Sequence, residues 1–177
     1  MLRDCCCCVA VGNEACDGAW FGASDRSTRR HSIESKLAAG TTLVCDRYAH
    51  SGVAFSAAKG LDVQWCMAPD EGLPAPDCVI FLDIEPEAAS QRGEYGAERY
   101  EKLEFQHKVR SKFQELRSRI AAERGDEDVA WHVLDATKPI DVLQDEIRAI
   151  SARVIADVAG KPVGRLWGAS KDRQVIS

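Results

Sequence analysis

No apolar run in this 177-residue sequence approaches the length that a membrane span requires. The stretch from Cys5 to Val11, after Arg3, is barely long enough for a secretory leader, and no small-residue cleavage site clearly follows it. The sequence therefore predicts a soluble, intracellular protein. An excess of positive charge is also lacking: 23 Lys and Arg stand against 28 Asp and Glu, a net charge of -5. That balance excludes a general polyanion binder, so neither nucleic acid nor a membrane is expected as a partner. A small phosphorylated ligand stays open, because its site needs only a few local arginines. Zinc-type spacing of cysteines is missing as well. Of eight cysteines, Cys5, Cys6, Cys7 and Cys8 are consecutive, and Cys16, Cys45, Cys66 and Cys78 stand singly. Adjacent thiols converge poorly on a tetrahedral metal, so reduced thiols and no metal cluster are predicted. Internal repeats and a second domain are absent, and the length fits one domain.

What is present begins irregularly. Residues 1–23 show no helical or strand periodicity beyond the short run Cys8 to Val11, and they read as a cysteine-rich leader. Arg26 to Ala39 reads as a helix with Ile33, Leu37 and Ala38 on one face, closed by Gly40. Thr41 to Cys45 is rich in β-formers and reads as a buried strand. A short helix follows over Ser51 to Lys59, and another turn or two over Asp62 to Ala68. Pro69, Gly72, Pro74 and Pro76 mark a loop. Cys78 to Ile84 is the strongest strand, and Pro86 begins a helix that carries Gln91-Arg92-Gly93. Glu98 to Glu123 reads as one long amphipathic helix with Leu103, Val109, Phe113, Leu116 and Ile120 at helical spacing. Gln106 falls on that same stripe, where packing alone favours an apolar residue. Val129 to Leu134 reads as a third strand. Pro139 opens a last helix with Ile140, Leu143, Ile147, Ile150 and Val154 on its buried face.

Three apolar strands separated by helices predict parallel βαβ units. Ligands of such sheets bind outside the carboxyl ends of the strands. Asp46-Arg47, the segment after Ile84, and Asp135 to Lys138 all lie at those ends and should converge on one side. An aspartate directly after a buried strand can hold Mg²⁺ through water, and an adjacent arginine can clamp a phosphate. On this evidence alone, a plain surface salt bridge at the strand end is the stronger explanation of the pair. Arg92 and Arg99, around Gly93 and Gly96, have the composition of a cationic lid suited to phosphoryl transfer. A solvated helix face is the alternative, since Glu94, Glu98 and Glu101 lie among them.

In order along the chain these fragments say more. Asp46-Arg47-Tyr48-Ala49-His50-Ser51-Gly52-Val53-Ala54-Phe55 resembles the DRYxxSGVAF segment of eukaryotic-type thymidylate kinases. Gly72-Leu73-Pro74-Ala75-Pro76-Asp77 is similar to that family's GLPxPD. Gln91-Arg92-Gly93 and Gly96-Ala97-Glu98-Arg99-Tyr100-Glu101 are similar to its lid. Asp135-Ala136-Thr137-Lys138 and Lys161-Pro162 to Leu166-Trp167 continue the likeness over residues 24–167, with spacing kept. The resemblance implies an α/β fold, the P-loop nucleoside monophosphate kinase-like parallel sheet flanked by helices, incomplete at the N-terminus. It divides the chain into the leader, 1–23, and a partial kinase-like domain with a C-terminal tail, 24–177.

By position, the resemblance implies that Arg47 holds the dTMP phosphate and Asp46 serves Mg²⁺ and its waters. Arg26 would contact the thymine or order the residues around it. Ser51 and Gly52 would line the nucleotide site, with Gly52 admitting the backbone closely. Phe55 would pack against the nucleotide, Tyr100 would close over it, and Gln106 fits the family pattern. Arg92 and Arg99 would neutralise the transferring phosphoryl group, Arg92 also facing ATP. Lys138 would lie near the adenine, and Arg148 matches the ATP-side contacts. The family usually has tryptophan after the arginine matched by Arg26, where this chain has Ser27; Phe21 is displaced by one position from the aromatic expected earlier. The implied reaction is transfer of the ATP γ-phosphoryl group to dTMP, and a homodimer is implied as well.

No GxxxxGK[ST] occurs in the 177 residues; Gly12 to Gly18 is the nearest imitation, without a lysine. That loop cradles phosphates and holds Mg²⁺. In the family it follows a strand in the middle of the sheet, and the run Val9 to Val11 is what is available to pair there. Three readings stay open. The recorded sequence has lost its true amino terminus, or the chain is a non-catalytic relative that binds dTMP or pairs with a full-length partner, or it is a deoxynucleoside kinase.

Overall fold

The computed structural model describes residues 6–10, 23–91, 103–124 and 130–167. Its strands are β1 (Cys6–Ala10), β2 (Leu43–Asp46), β3 (Cys78–Asp83) and β4 (Ala130–Asp135). Its helices are α1 (Ala23–Ala38), α2 (Ala49–Ala58), α3 (Val63–Met67), α4 (Pro86–Ser90), α5 (Leu103–Arg124) and α6 (Ile140–Asp157).

The strands form one sheet in the order β2-β1-β3-β4. β3 and β4 run parallel, in register from Cys78 opposite Ala130 to Asp83 opposite Asp135. β1 is antiparallel to both of its neighbours, with Cys7 opposite Asp46 on one side and Ile80 on the other. β2, β3 and β4 therefore point the same way, as the βαβ pattern predicts, and only β1 is reversed. The strand begins at Cys6, two residues before the run from Cys8 to Val11 that the sequence suggests, and Val11 lies outside the described residues. The backbone groups between β2 and β3 need partners, and a five-residue run suffices to supply them. An antiparallel ladder satisfies those groups as well as a parallel one.

β3 is apolar from Cys78 to Leu82 because both of its faces are covered there. Val79 and Phe81 point into a cluster with Tyr48, Ala54, Val109, Phe113 and Leu166, from the side of α2 and α5. Cys78, Ile80 and Leu82 point into the opposite cluster with Leu143, Ile150 and Val154 of α6. That alternation is the two-residue period of a strand. A third cluster, Val53, Cys66, Met67, Leu116 and Ile120, joins α2, α3 and α5. α3 starts where the Asp62 carboxylate accepts from the Trp65 backbone N–H at 2.8 Å. A 3-10 turn, Ala68–Asp70, follows it.

Two residues assigned to buried stripes are exposed: Leu103 at 40% and Ile140 at 69%. Each is the first residue of its helix and precedes the stretch that packs. Ala38 is exposed too, while Ile33 and Leu37 are half-buried. Cys45, Cys66 and Cys78 are free thiols, as predicted, and burial pushes the Cys66 thiol up, with Asp62 adding to it. Among the described residues no helix is long and apolar enough to cross a membrane.

Candidate active site

β2 ends at Asp46 and α2 begins at Ala49, so the chain turns sharply between them. Arg47 makes the turn with φ at 61°, a left-handed conformation that strains any residue with a Cβ and that recurs at functional sites. Two contacts station its guanidinium. Arg47 Nε donates to Ser51 Oγ at 3.1 Å, and Cζ lies 4.4 Å from the centre of the Phe55 ring. Phe55 in turn meets Phe105 of α5 edge-on, with ring centres 6.1 Å apart. Tyr48 is buried, and its hydroxyl donates to the Pro74 carbonyl at 3.1 Å, tying the corner to the 72–76 loop. Asp46 is exposed at the strand end.

The structure thus brings Arg47, Ser51 and Phe55 together, with Asp46 and Gly52 adjacent in the chain. Gln106 follows Phe105 on α5 and lines a pocket with Phe81, Asp83, Ile84, Pro86 and Arg110, at the carboxyl end of β3. Lys138 lies beyond β4, where its Nζ donates to Glu146 of α6 at 2.6 Å. The loop before it is shaped by Asp135, whose carboxylate accepts from the Thr137 N–H at 2.9 Å and from its hydroxyl at 2.6 Å. Arg148 is exposed on α6 and pairs with Asp145 at 3.2 Å. Lys138 and Arg148 thus pair with acidic residues of α6, which packs on the face of β3 opposite to α2. Arg26 lies in α1, four residues before Arg30, and its side chain is not among those described. Arg92, Arg99 and Tyr100 lie outside the described residues.

Two charge clusters escaped sequence reasoning. Arg110 grips Asp83 through Nε at 2.6 Å and Nη2 at 2.9 Å, and Nη1 reaches Glu85 at 2.5 Å. The Asp83 hydrogen bonds, then those of Glu85, push the guanidinium pKa up against the effect of burial. Arg110 and Asp83 lie 27 positions apart, and nothing in the sequence pairs them. The second cluster is Glu34, which accepts from Arg30 Nε at 3.0 Å and from Arg165 Nη1. Burial raises the Glu34 carboxyl, but the hydrogen bonds and charges of Arg165 and Arg30 outweigh it and hold it below the ordinary range. Residues 34 and 165 are too far apart in sequence for any pattern to pair them.

The corner thus places a stationed arginine at the carboxyl end of β2, the side of an open α/β sheet where ligands bind. The family model for thymidylate kinase matches residues 17–147. The chain belongs to the thymidylate kinase family. It is 43% identical to the thymidylate kinase of Arabidopsis thaliana over 146 residues, which cover 82% of this chain and 52% of that one. It is 42% identical to the thymidylate kinase of Homo sapiens over 136 residues, 76% of this chain and 61% of that one. The chain therefore spans between half and two-thirds of the length of these thymidylate kinases. Among solved structures, the thymidylate kinase of Candida albicans superposes with a TM-score of 0.63 at 28% identity, over 75% of this chain and 65% of that one. The fold is thus that of the P-loop nucleoside monophosphate kinases, with β1 reversed.

Proposed function

We propose that this chain carries the acceptor side of an ATP:dTMP phosphotransferase that makes dTDP for dTTP synthesis. The observation that supports it most is the β2–α2 corner, where Arg47 is held by Ser51 and Phe55 in a chain of the thymidylate kinase family. Arg47 turns its guanidinium fork, whose geometry matches a phosphate, to the dTMP phosphate. Phe55 and Gly52 form the wall that the nucleotide approaches, Gln106 takes a place at the mouth of the β3 pocket, and Arg26 and Tyr100 contribute to base recognition. Arg92 and Arg99 neutralise charge on the transferring group. Lys138 and Arg148 serve the ATP side, and two copies of the chain form a dimer.

ATP supplies the phosphoryl group and Mg²⁺ shields its charge when both are bound. Asp46 fits Mg²⁺ as an exposed carboxylate at a strand end, a hard oxygen donor. The 177 residues contain no GxxxxGK[ST], so the lysine and hydroxyl that such folds turn toward ATP phosphates are not among them. The fit to the metal rests on Asp46 alone.

Titration calorimetry of the folded chain with dTMP and with thymidine tests the reading. dTMP should bind about tenfold or more tightly than thymidine, and Arg47→Ala should erase that difference. Equal affinity for both, or no binding of dTMP, would reject the acceptor site. Formation of dTDP with ATP and Mg²⁺ separates an enzyme from a relative that only binds.

A further inference from the structure

The segment 163–167 returns across the domain and touches the 72–75 loop, α1 and α2. Its backbone pairs with the 72–75 loop: Gly72 N–H donates to Leu166 O at 2.9 Å, Leu166 N–H to Leu73 O at 2.8 Å, and Ala75 N–H to Gly164 O at 2.8 Å. Gly164 permits this approach, since a Cβ there would stand 3.3 Å from Ala75 Cβ. Leu166 is buried in the cluster that contains Tyr48 and Val79. Trp167 meets His50 edge-on at 5.2 Å, and His50 precedes the Ser51 that holds Arg47. Arg165 reaches the other way, to Glu34 of α1, and its Nη1 lies 3.5 Å from the Gly72 carbonyl oxygen. Glu34 also accepts from Arg30, and positions 26, 30 and 34 fall on one face of α1 by helical register. The 72–75 loop is bonded to the corner through Tyr48 and Pro74.

We propose that the segment 163–167 is a strap that positions the acceptor-nucleotide site, with Arg165 and Glu34 as positioning residues that act through α1 on Arg26 and through the 72–75 loop on Arg47. The proposal rests on the acceptor-site reading above. A strap that served packing alone would need only Leu166 and Trp167. The Arg165–Glu34 pair adds a charge-assisted bond between the C-terminal segment and α1, 131 residues apart, with both side chains mostly buried. Orienting a helix that carries a ligand-binding arginine requires such a directional contact.

The test combines dTMP calorimetry with amide hydrogen exchange on the full chain and on Arg165→Ala, Glu34→Ala, the double variant and Lys112→Ala as a control. Each single variant should weaken dTMP binding about three- to tenfold, the double should weaken it no further than the worse single, and Lys112→Ala should leave it unchanged. Exchange should rise at residues 23–34 and 47–52 and stay unchanged in α6. Lost thermal stability with unaltered dTMP affinity and exchange at those segments would overturn the positioning role and leave a packing role. Additive losses in the double variant would overturn the coupling. If the unaltered chain binds no dTMP, the acceptor-site reading fails, whatever the exchange shows, and the positioning role fails with it. Exchange rising as described in a chain that does bind dTMP supports it. Should Arg165→Ala fail to fold, Arg165→Lys keeps the charge with a different donor geometry and should weaken binding by an intermediate factor; unchanged binding there overturns the proposal.

Discussion

Arg110 and Asp83 are joined by two parallel hydrogen bonds, from Nε to Oδ1 at 2.6 Å and from Nη2 to Oδ2 at 2.9 Å. The pair links the last residue of β3 to the second turn of α5, and Gln106 lies one turn before it. A fork-to-fork bond fixes orientation as well as distance. It therefore sets the rotation of α5 against the strand end, and with it the placement of Phe105 against Phe55.

Removing Arg110 leaves Asp83 and Glu85 without that cation. Arg110→Ala should cost about 1–3 kcal/mol, between the values for exposed and fully buried pairs, because both side chains are about a quarter exposed. The double variant Arg110→Ala, Asp83→Ala should cost less than the sum of the singles. Urea denaturation at low and high salt checks this; a loss that disappears in high salt would mean an ordinary surface pair.

Arg47 pays for its left-handed backbone with strain that glycine does not feel. Arg47→Gly relieves that strain while losing the contacts with Ser51 and Phe55. The two effects are of similar size, so stability should stay within about 1 kcal/mol of the parent. dTMP affinity should nevertheless fall about tenfold or more. Thermal melting read beside calorimetry decides: a fall in melting temperature without a fall in affinity would make Arg47 a structural turn residue.

Ile80 is 1% exposed in the cluster that α6 covers. Ile80→Ala should cost about 2–5 kcal/mol by loss of burial and by the cavity left behind. Val44 on β2 is 46% exposed, and Val44→Ala should cost less than about 1 kcal/mol. Equal losses at the two positions would mean that the sheet faces are wrongly assigned.

Much of this arrangement was legible before any coordinates. β3 announced itself because seven consecutive residues, Cys78 to Ile84, offer no strong helical face, and the corner residues Asp46 to Phe55 keep a recognisable order. Local periodicity reports what each element buries, so α5 was readable through Val109, Phe113, Leu116 and Ile120. Strand direction is a different matter. Nothing in the sequence Cys6 to Ala10 distinguishes a parallel from an antiparallel neighbour, because either ladder can be formed by the same run of residues. Arg165 with Glu34, and Arg110 with Asp83, were hidden for a further reason. Each is a polar pair made by tertiary approach, and a single sequence carries no trace of which charge will face which.

The Glu34 cluster also fixes a pH dependence. Burial alone would raise the Glu34 carboxyl, but Arg165 first and Arg30 second favour its charged form and leave it below the ordinary 4.5. A folded-state pKa below the unfolded one means that the unfolded chain binds the proton more readily. The stabilisation is therefore fully present above the unfolded value and is lost as pH falls through the folded one. Glu34→Gln removes the charge at every pH, so the stability gap between parent and variant should be constant near neutrality. It should narrow once the pH drops below about 4.5 and close when Glu34 is protonated in the folded state. Urea denaturation of both proteins along a series of pH values measures that gap. A gap that does not change down to the acid limb would mean that the carboxylate is not held by the two arginines, and the strap would then lose its anchor on α1.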